Sequence, residues 1–193
     1  MIWNINGVLP PVANEENAAG EERSPYQMGI IDFIDTYCFN EKRKFILIGF
    51  LEFRKRLYDM GCQTGFQWVN GSFCEDCERL RQRPPNDIDI VTFLDLTDGV
   101  NQDTFDMSLI EDKAGVKARY SVDSAFMQLG VSADADYTKW VAYWYSLWSH
   151  QRDTMIWKGF ISIDLSPEDD IAAMQILQSK LAESGEENES ESI

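Results

Sequence analysis

The sequence contains a single histidine and no long apolar run, and both absences exclude classes of protein. Without an uninterrupted apolar stretch of about 18 residues, no membrane-spanning helix is predicted. The first residues lack a basic segment followed by an apolar one, so no secretory signal is predicted and we expect a cytoplasmic protein with reduced thiols. The single histidine, His150, is a weak candidate for a general base.

Cysteine is also scarce, with four in 193 residues. Cys74 and Cys77 form one C-x-x-C pair, but no second Cys or His pair lies nearby in the sequence. A structural zinc site closes with four such ligands, and this pattern supplies half of them. We therefore interpret both cysteines as ordinary thiols of a loop or short helix.

Basic residues are few compared with acidic ones, 17 against 33, and the formal net charge is −16. An acidic surface repels a phosphate backbone, so long nucleic acid is disfavoured as a partner. The segment 183–193 (ESGEENESESI) holds five glutamates and almost no apolar residue. We predict that it is a disordered acidic tail.

The remainder of the chain has the composition of a folded protein, with a hydrophobic share of 44%. We predict an N-terminal arm and loop over 1–25 and one domain over 26–182. Predicted helices come first along the chain, and strands mixed with helices follow. This order is typical of an α/β (α+β) fold in which helices flank a mixed sheet.

Hydrophobic periodicity predicts which segments are helices and which are strands. A helix is expected from about Ser24, because Ser24-Pro25 supplies an N-cap and a proline suited to a first turn. Further helices are predicted over 40–61, 73–82, 136–152 and from Ser166 onward. Strands are predicted over 66–70, 87–95, 116–129 and 154–165.

Two of these helices have patterns that predict burial. In the helix over 40–61, the basic run 54–56 is expected to face solvent. In the helix over 136–152, Trp140, Trp144 and Trp148 recur every four residues and lie on one face. We interpret that face as core, and stacking on a nucleobase is the alternative.

Two aspartates, Asp87 and Asp89, stand one residue apart in the apolar segment NDIDIV. Because side chains alternate across a strand, both project from the same face. Carboxylates this close repel each other unless a cation lies between them, and their hard oxygens suit Mg²⁺ or Mn²⁺. A metal site is one interpretation of the pair, and a solvated sheet face is the other.

A Gly-Ser pair and a third aspartate strengthen the metal interpretation. Gly71-Ser72 follows an apolar strand and precedes a predicted helix, where backbone N–H groups and a hydroxyl can bind phosphate oxygens. Asp123 lies on a later strand that can pair beside the strand of Asp87 and Asp89. Three acids beside a phosphate cradle are what phosphoryl or nucleotidyl transfer requires.

The cation that would contact the phosphates is harder to assign, because no lysine lies in an evident triphosphate-binding motif. Each candidate can also be an ordinary surface base. The bases that follow the Gly-Ser pair are better explained as partners of nearby acids. The phosphate candidates are Lys117, Arg119, Arg152 and Lys158, and the bases after Gly-Ser are Arg79, Arg81 and Arg83.

The order of these motifs resembles the nucleotidyltransferase superfamily related to DNA polymerase beta. Over residues 5–166 the chain more narrowly resembles a small bacterial and phage family of nucleotidyltransferase-like proteins. Five segments carry that resemblance: NGVLPP, WVNGSF, PPNDIDIV, YSVDSAF and RDTMIWKGFISIDL.

The resemblance implies a role for each motif residue. Gly71 and Ser72 would bind the triphosphate of an NTP, and Asp87, Asp89 and Asp123 would hold the Mg²⁺ or Mn²⁺ ions and perform catalysis. In the closing segment, Arg152 and Lys158 are the favoured bases for nucleotide binding.

The activity implied by the resemblance is transfer of NMP from an NTP to a hydroxyl of a protein, an RNA end or a small molecule. Small members act in toxin–antitoxin pairs or in phage defence, which implies a partner protein. The acidic surface favours a protein or small-molecule acceptor. One alternative is an inactive nucleotidyltransferase fold that binds or regulates a partner, and another is a chance coincidence of the motifs in an interaction protein.

Overall fold

The fold is that of a computed structural model, which describes residues 3–14, 16–96 and 105–190, with side chains as far as residue 180. Its strands are β1 (Tyr26–Gln27), β2 (Gly65–Asn70), β3 (Ile88–Asp95), β4 (Val122–Leu129) and β5 (Ile161–Asp164). Its helices are α1 (Ile30–Tyr37), α2 (Glu41–Asp59), α3 (Cys77–Arg81), α4 (Ser108–Glu111), α5 (Lys113–Tyr120), α6 (Ala135–Trp148) and α7 (Pro167–Ser190). The predicted single-domain α+β fold is confirmed.

The strands form one sheet in the order β1-β5-β2-β3-β4. β2 is antiparallel to both of its neighbours, β5 and β3. The outer pairs, β1 with β5 and β3 with β4, are parallel. The sheet is therefore mixed, and β4 is one of its two edge strands.

Each face of the sheet carries its own apolar cluster, because alternate residues of a strand point to opposite sides. Ile88, Ile90 and Leu94 of β3 face the larger cluster, to which α1, α2, α5 and α7 contribute. Val91 and Phe93 face the smaller one, which includes Trp148 of α6. Asp89 falls on the α6 face by the same alternation.

The predicted exposure of the basic run in α2 is wrong at Arg54. This side chain is fully buried and ion-paired with Asp170 at the start of α7, 2.6 Å from Nε to Oδ2. It also donates to Gln67 Oε1 of β2 and to the backbone carbonyl of Asp164. Lys55 is exposed as predicted and pairs with Asp59 one turn later.

The segment predicted as one strand over 116–129 divides into α5 and β4. Asp112 caps α5 by accepting a hydrogen bond from the Gly115 N–H, and Ser121 ends the helix in a left-handed conformation with φ 56°. Local capping therefore outweighs the strand preference of Val116. The first half of the segment is helical, and β4 starts at Val122.

Two other predicted boundaries are wrong. Ser24 does not cap a helix: its peptide bond to Pro25 is cis, and α1 begins at Ile30 with Gly29 as its N-cap residue. The strand predicted over 154–165 is limited to β5, because Met155 has φ 57° and the chain turns back there.

The interpretation of the aromatic face of α6 as core holds only at its C-terminal end. Trp148 is buried, whereas Trp140 is 53% and Tyr143 48% exposed. These two residues form one wall of a groove beside β4 together with Trp144, which is partly buried and also packs against the smaller apolar cluster.

The described residues contain no helix that is both long and apolar enough to cross a membrane. α7 extends to Ser190 and so overlaps the segment predicted as an acidic tail; the end of that segment, 191–193, lies outside the described residues.

Candidate functional site

The register of the sheet brings the three predicted aspartates together. Asp89 of β3 is paired with Asp123 of β4 across the parallel ladder, so both side chains lie on the α6 face. Asp87 directly precedes β3. Lys117 of α5 contacts both outer carboxylates: its Nζ binds Oδ2 of Asp87 and lies 3.2 Å from Oδ2 of Asp123.

Asp89 is the member of this group whose ionisation is most disfavoured. Burial raises its pKa to about 6, and the charges of Asp87 and Asp123 act in the same direction. The charges of Lys117 and Lys158 oppose the rise without cancelling it. A partly buried carboxylate with two like charges beside it requires a compensating cation when it is ionised.

Gly71 lies against the Asp89 carboxylate. Asp89 is also paired with Asn70 at the end of β2, so the turn that follows Asn70 begins beside it. Gly71 adopts φ 78°, and a Cβ at this position would overlap Oδ2 of Asp89. A glycine is therefore needed both for the backbone conformation and for the close approach of the carboxylate.

Ser72–Cys74 form a short 3-10 turn, and α3 follows three residues later. The continuous helix predicted over 73–82 is therefore wrong. The Gly71 carbonyl accepts from the Cys74 N–H, and the Ser72 carbonyl accepts from the Glu75 N–H and the Cys77 thiol. Because a helical turn begins here, the first N–H groups have no acceptor one turn back. Outside the sheet ladders, no described residue accepts from the Gly71 or Ser72 N–H, and Gly71 lies against Asp89.

Glu75 anchors the end of this turn beneath the surface. The residue is 3% exposed, and its Oε1 accepts from Lys158 Nζ at 2.7 Å. Its Oε2 accepts from Arg81 at 3.0 Å and from Gln151 at 2.9 Å. The closing segment is thereby tied to the Gly-Ser turn, which explains why Lys158 is buried.

Arg43 of α2 holds the same turn from the other side. Its guanidinium is fully buried and donates to the backbone carbonyls of Phe73 and Glu75, at 2.6 and 2.8 Å. The remaining donors form a bidentate pair with Glu78. Two buried bases, Arg43 and Lys158, therefore fix the path of the chain directly after Gly71-Ser72.

The N-terminal arm also contacts this turn. The Trp3 indole donates to the Cys74 carbonyl at 2.8 Å, and the Asp76 N–H donates to the Gly7 carbonyl. The Leu9 carbonyl accepts from the Gly159 N–H. The arm thus bridges the turn and the closing segment.

The predicted bases are placed very differently. Lys158 is buried against Glu75, close enough for its charge to affect the pKa of Asp89. Arg152 is exposed and makes no ion pair with any described residue. Arg79 and Arg81 pair with Asp76 and Glu75, as predicted for partners of local acids.

The donor set suits a hard divalent cation in chemistry, because it consists of three neighbouring carboxylates. Lys117 lies where a cation would neutralise Asp87 and Asp123. Among the described residues no group of three or more His, Cys, Asp or Glu side chains is arranged to hold a metal ion as it stands. A divalent ion would have to displace the Lys117 ammonium, whose side chain is 48% exposed.

Asp89→Asn should raise the free energy of unfolding of the metal-free protein at about pH 8 by roughly 3 kcal/mol. The native carboxyl titrates near 6 instead of 3.8, so the native state keeps a proton that the unfolded chain releases. Wild-type stability therefore falls as the pH rises between about 4 and 6, and the variant lacks this loss. Urea unfolding in EDTA at about pH 4 and pH 8 measures it. Parallel pH curves for the two proteins would contradict the assignment.

The sequence identifies Lys117 as a candidate base but not its position between the aspartates, because residues 116–129 are predicted to form one strand. It does not identify Glu75, Arg43 or Gln151. Three acids, Glu75, Asp76 and Glu78, stand among three bases over 75–83, so nothing in the sequence singles out Glu75, and nothing marks Arg43.

The comparisons with known proteins place the chain in one family. The profile described as "Family of unknown function (DUF6932)" matches residues 1–164. No curated protein and no solved structure matches the chain. Since the profile match spans more than half of the sequence, this protein belongs to the DUF6932 family.

Proposed function

We propose that this protein is a nucleotidyltransferase that moves NMP from an NTP to a hydroxyl acceptor with the help of Mg²⁺ or Mn²⁺. One observation carries the proposal: Asp87, Asp89 and Asp123 meet at the point where the Gly71-Ser72 turn begins. Carboxylates alone would be compatible with many sites. Their position beside a turn with free backbone donors favours a phosphate-containing ligand.

Each residue has a defined task in this proposal. Gly71 and Ser72 orient the triphosphate through backbone N–H groups and the serine hydroxyl. Asp87 and Asp89 would hold the divalent ions, which neutralise phosphate charge when bound. Lys117, once released from the aspartates, remains close enough to pair with a phosphate oxygen.

The transfer itself forms one bond and breaks one. The acceptor oxygen bonds to the α-phosphorus, while the bond from that phosphorus to the bridging oxygen breaks and pyrophosphate leaves. The hydroxyl proton passes to Asp123, whose side chain is 45% exposed and therefore open to an acceptor. Asp123 is the member of the group best placed for this task.

The cellular role and the partner that we propose depend on this activity. A cytoplasmic enzyme of this kind, in a toxin–antitoxin pair or a phage-defence system, would act with a partner protein. The net charge of −16 favours a protein or small-molecule acceptor over long nucleic acid.

A thermal-shift experiment tests nucleotide binding. Saturating NTP with Mg²⁺ should raise the melting temperature of the wild type by about 5 °C or more. Asp87→Ala combined with Asp89→Ala should abolish this rise, because the ions lose their ligands. Asp164→Ala, which removes an exposed acid at the end of β5, is the matched control and should keep it. Equal rises in the double variant and the wild type would rule out the site.

An inactive, regulatory nucleotidyltransferase fold is the second candidate, and Lys117 favours it. Its ammonium neutralises Asp87 and Asp123 without any metal. Incubation with α-labelled NTPs and a lysate distinguishes the two functions. Asp123-dependent label transfer supports the enzyme, whereas nucleotide binding without transfer supports the regulator.

A further inference from the structure

A groove of about 610 Å³ runs along the outer edge of β4. Residues 124–128 form its floor, and Trp140, Tyr143 and Trp144 of α6 form one wall. Ile110 and Lys113 form the other wall. The groove begins one residue after Asp123, so it leads directly away from the proposed catalytic group.

The floor presents backbone groups that the sheet does not use. The Ile88 N–H donates to the Ser121 carbonyl, so odd-numbered residues of β4 bond to β3. Even-numbered residues then point their N–H and C=O groups to the opposite side. Ser124, Phe126 and Gln128 therefore face the groove with both groups, and none of the described residues bonds to them.

Ser124 is a buried polar residue of the groove floor. This residue lines the groove and is 3% exposed, yet its Oγ has no hydrogen-bond partner among the described residues. A buried hydroxyl without a partner is costly, at roughly 1–3 kcal/mol. Because the Oγ has almost no accessible surface, an occupant of the groove reaches it only if the Ser124 side chain rotates toward the groove.

The geometry points to an extended polypeptide as the occupant. Free backbone groups recur on every second residue, about 6.6 Å apart, and an extended main chain repeats at that spacing. The exposed aromatic wall suits alternate apolar side chains. We propose that an unfolded or extended peptide segment adds to β4 as a further strand.

Charge indicates which polypeptide and disfavours RNA. Glu111 and Asp112 flank the lining residue Lys113, and Asp134 and Asp136 lie at the start of α6, all of them exposed. With the net charge of −16, these acids favour a segment with basic residues and repel a phosphate backbone. If the proposed function holds, this segment carries the acceptor hydroxyl to Asp123.

Binding to an array of random synthetic peptides of about twelve residues, without NTP or Mg²⁺, tests the proposal. Gln128→Pro removes an N–H that faces the groove and spares the bonds to β3. Gln128→Ala is its matched control, because the N–H remains. We expect peptides bound by the wild type and Gln128→Ala to lose at least about tenfold in affinity with Gln128→Pro.

Gln128→Pro could lose affinity only because it folds poorly, so a second variant, Trp140→Ala, is needed. It alters an exposed side chain of the groove wall, and it should also lower the affinity for these peptides. Three results would overturn the proposal. The first is that no peptide distinguishes Gln128→Pro from Gln128→Ala. The second is that a pool of single-stranded RNA binds to the protein, and that this binding is lost with Trp140→Ala but kept with Gln128→Pro. The third is a dimer that Gln128→Pro converts to monomers, which would assign the groove to a second copy.

The two proposals can fail separately. The variant with Asp87→Ala and Asp89→Ala keeps the groove and should bind the same peptides as the wild type. Peptide binding without a nucleotide-dependent thermal shift would remove only the proposed function. A thermal shift without peptide binding would remove only this inference.

Discussion

Replacing Asp123 with asparagine should lower NMP transfer by at least about 100-fold and leave the NTP-dependent rise in melting temperature largely intact. Asparagine keeps the size of the side chain but cannot accept the acceptor proton. Nucleotide binding is assigned mainly to Asp87, Asp89 and the Gly71-Ser72 turn, which this substitution does not touch. Label transfer and thermal shift are measured on the same preparation.

Asp164→Asn is the matched control, because it makes the same chemical change on another strand of the sheet. It should behave as the wild type in both measurements. If Asp123→Asn transferred label as fast as this control, Asp123 would have no part in the chemistry. If it lost the thermal shift as well, its role would be in binding.

The second large effect is expected at Arg54, far from the carboxylate group. Arg54→Met should lower the free energy of unfolding by about 3–5 kcal/mol, because it leaves the Asp170 carboxylate buried without its partner. Tyr58 donates to that carboxylate at 2.9 Å but cannot neutralise it. Urea unfolding followed by tryptophan fluorescence measures the loss.

Lys55→Met is the control for Arg54→Met, since it removes the neighbouring base of α2 from an exposed pair. Its cost should stay below about 0.5 kcal/mol. Adding Asp170→Leu to Arg54→Met should recover much of the lost stability, because no unpaired charge then remains. A loss of similar size for Arg54→Met and Lys55→Met would show that the buried pair is energetically unimportant.

The fold class could be predicted because the spacing of apolar residues along the sequence differs between strands and helices. β2 and β3 have continuous buried runs, and α2 begins at an Asn40 cap and follows a helical pattern. The local choice between α5 and a strand could not be predicted in the same way. It depends on the Asp112 cap and the left-handed Ser121, which hydrophobic periodicity does not register.

The meeting of the three aspartates was predictable from strand alternation and from the order of motifs. The residues that contact the three aspartates were harder to predict, since Lys117 reaches them from α5, a segment whose sequence predicts a strand. Buried bases such as Arg43, Arg54 and Lys158 were the hardest to predict. An arginine in a sequence is usually exposed, and only the tertiary structure supplies the acceptors that make its burial favourable.

The position of β5 has a consequence for synthesis of the chain. β5 is the last strand in the sequence, yet it lies between β1 and β2 in the sheet. As the protein emerges from the ribosome, β1 therefore has no neighbour until residues 161–164 are released. Any product that terminates earlier would expose two unpaired strand edges, which are templates for aggregation.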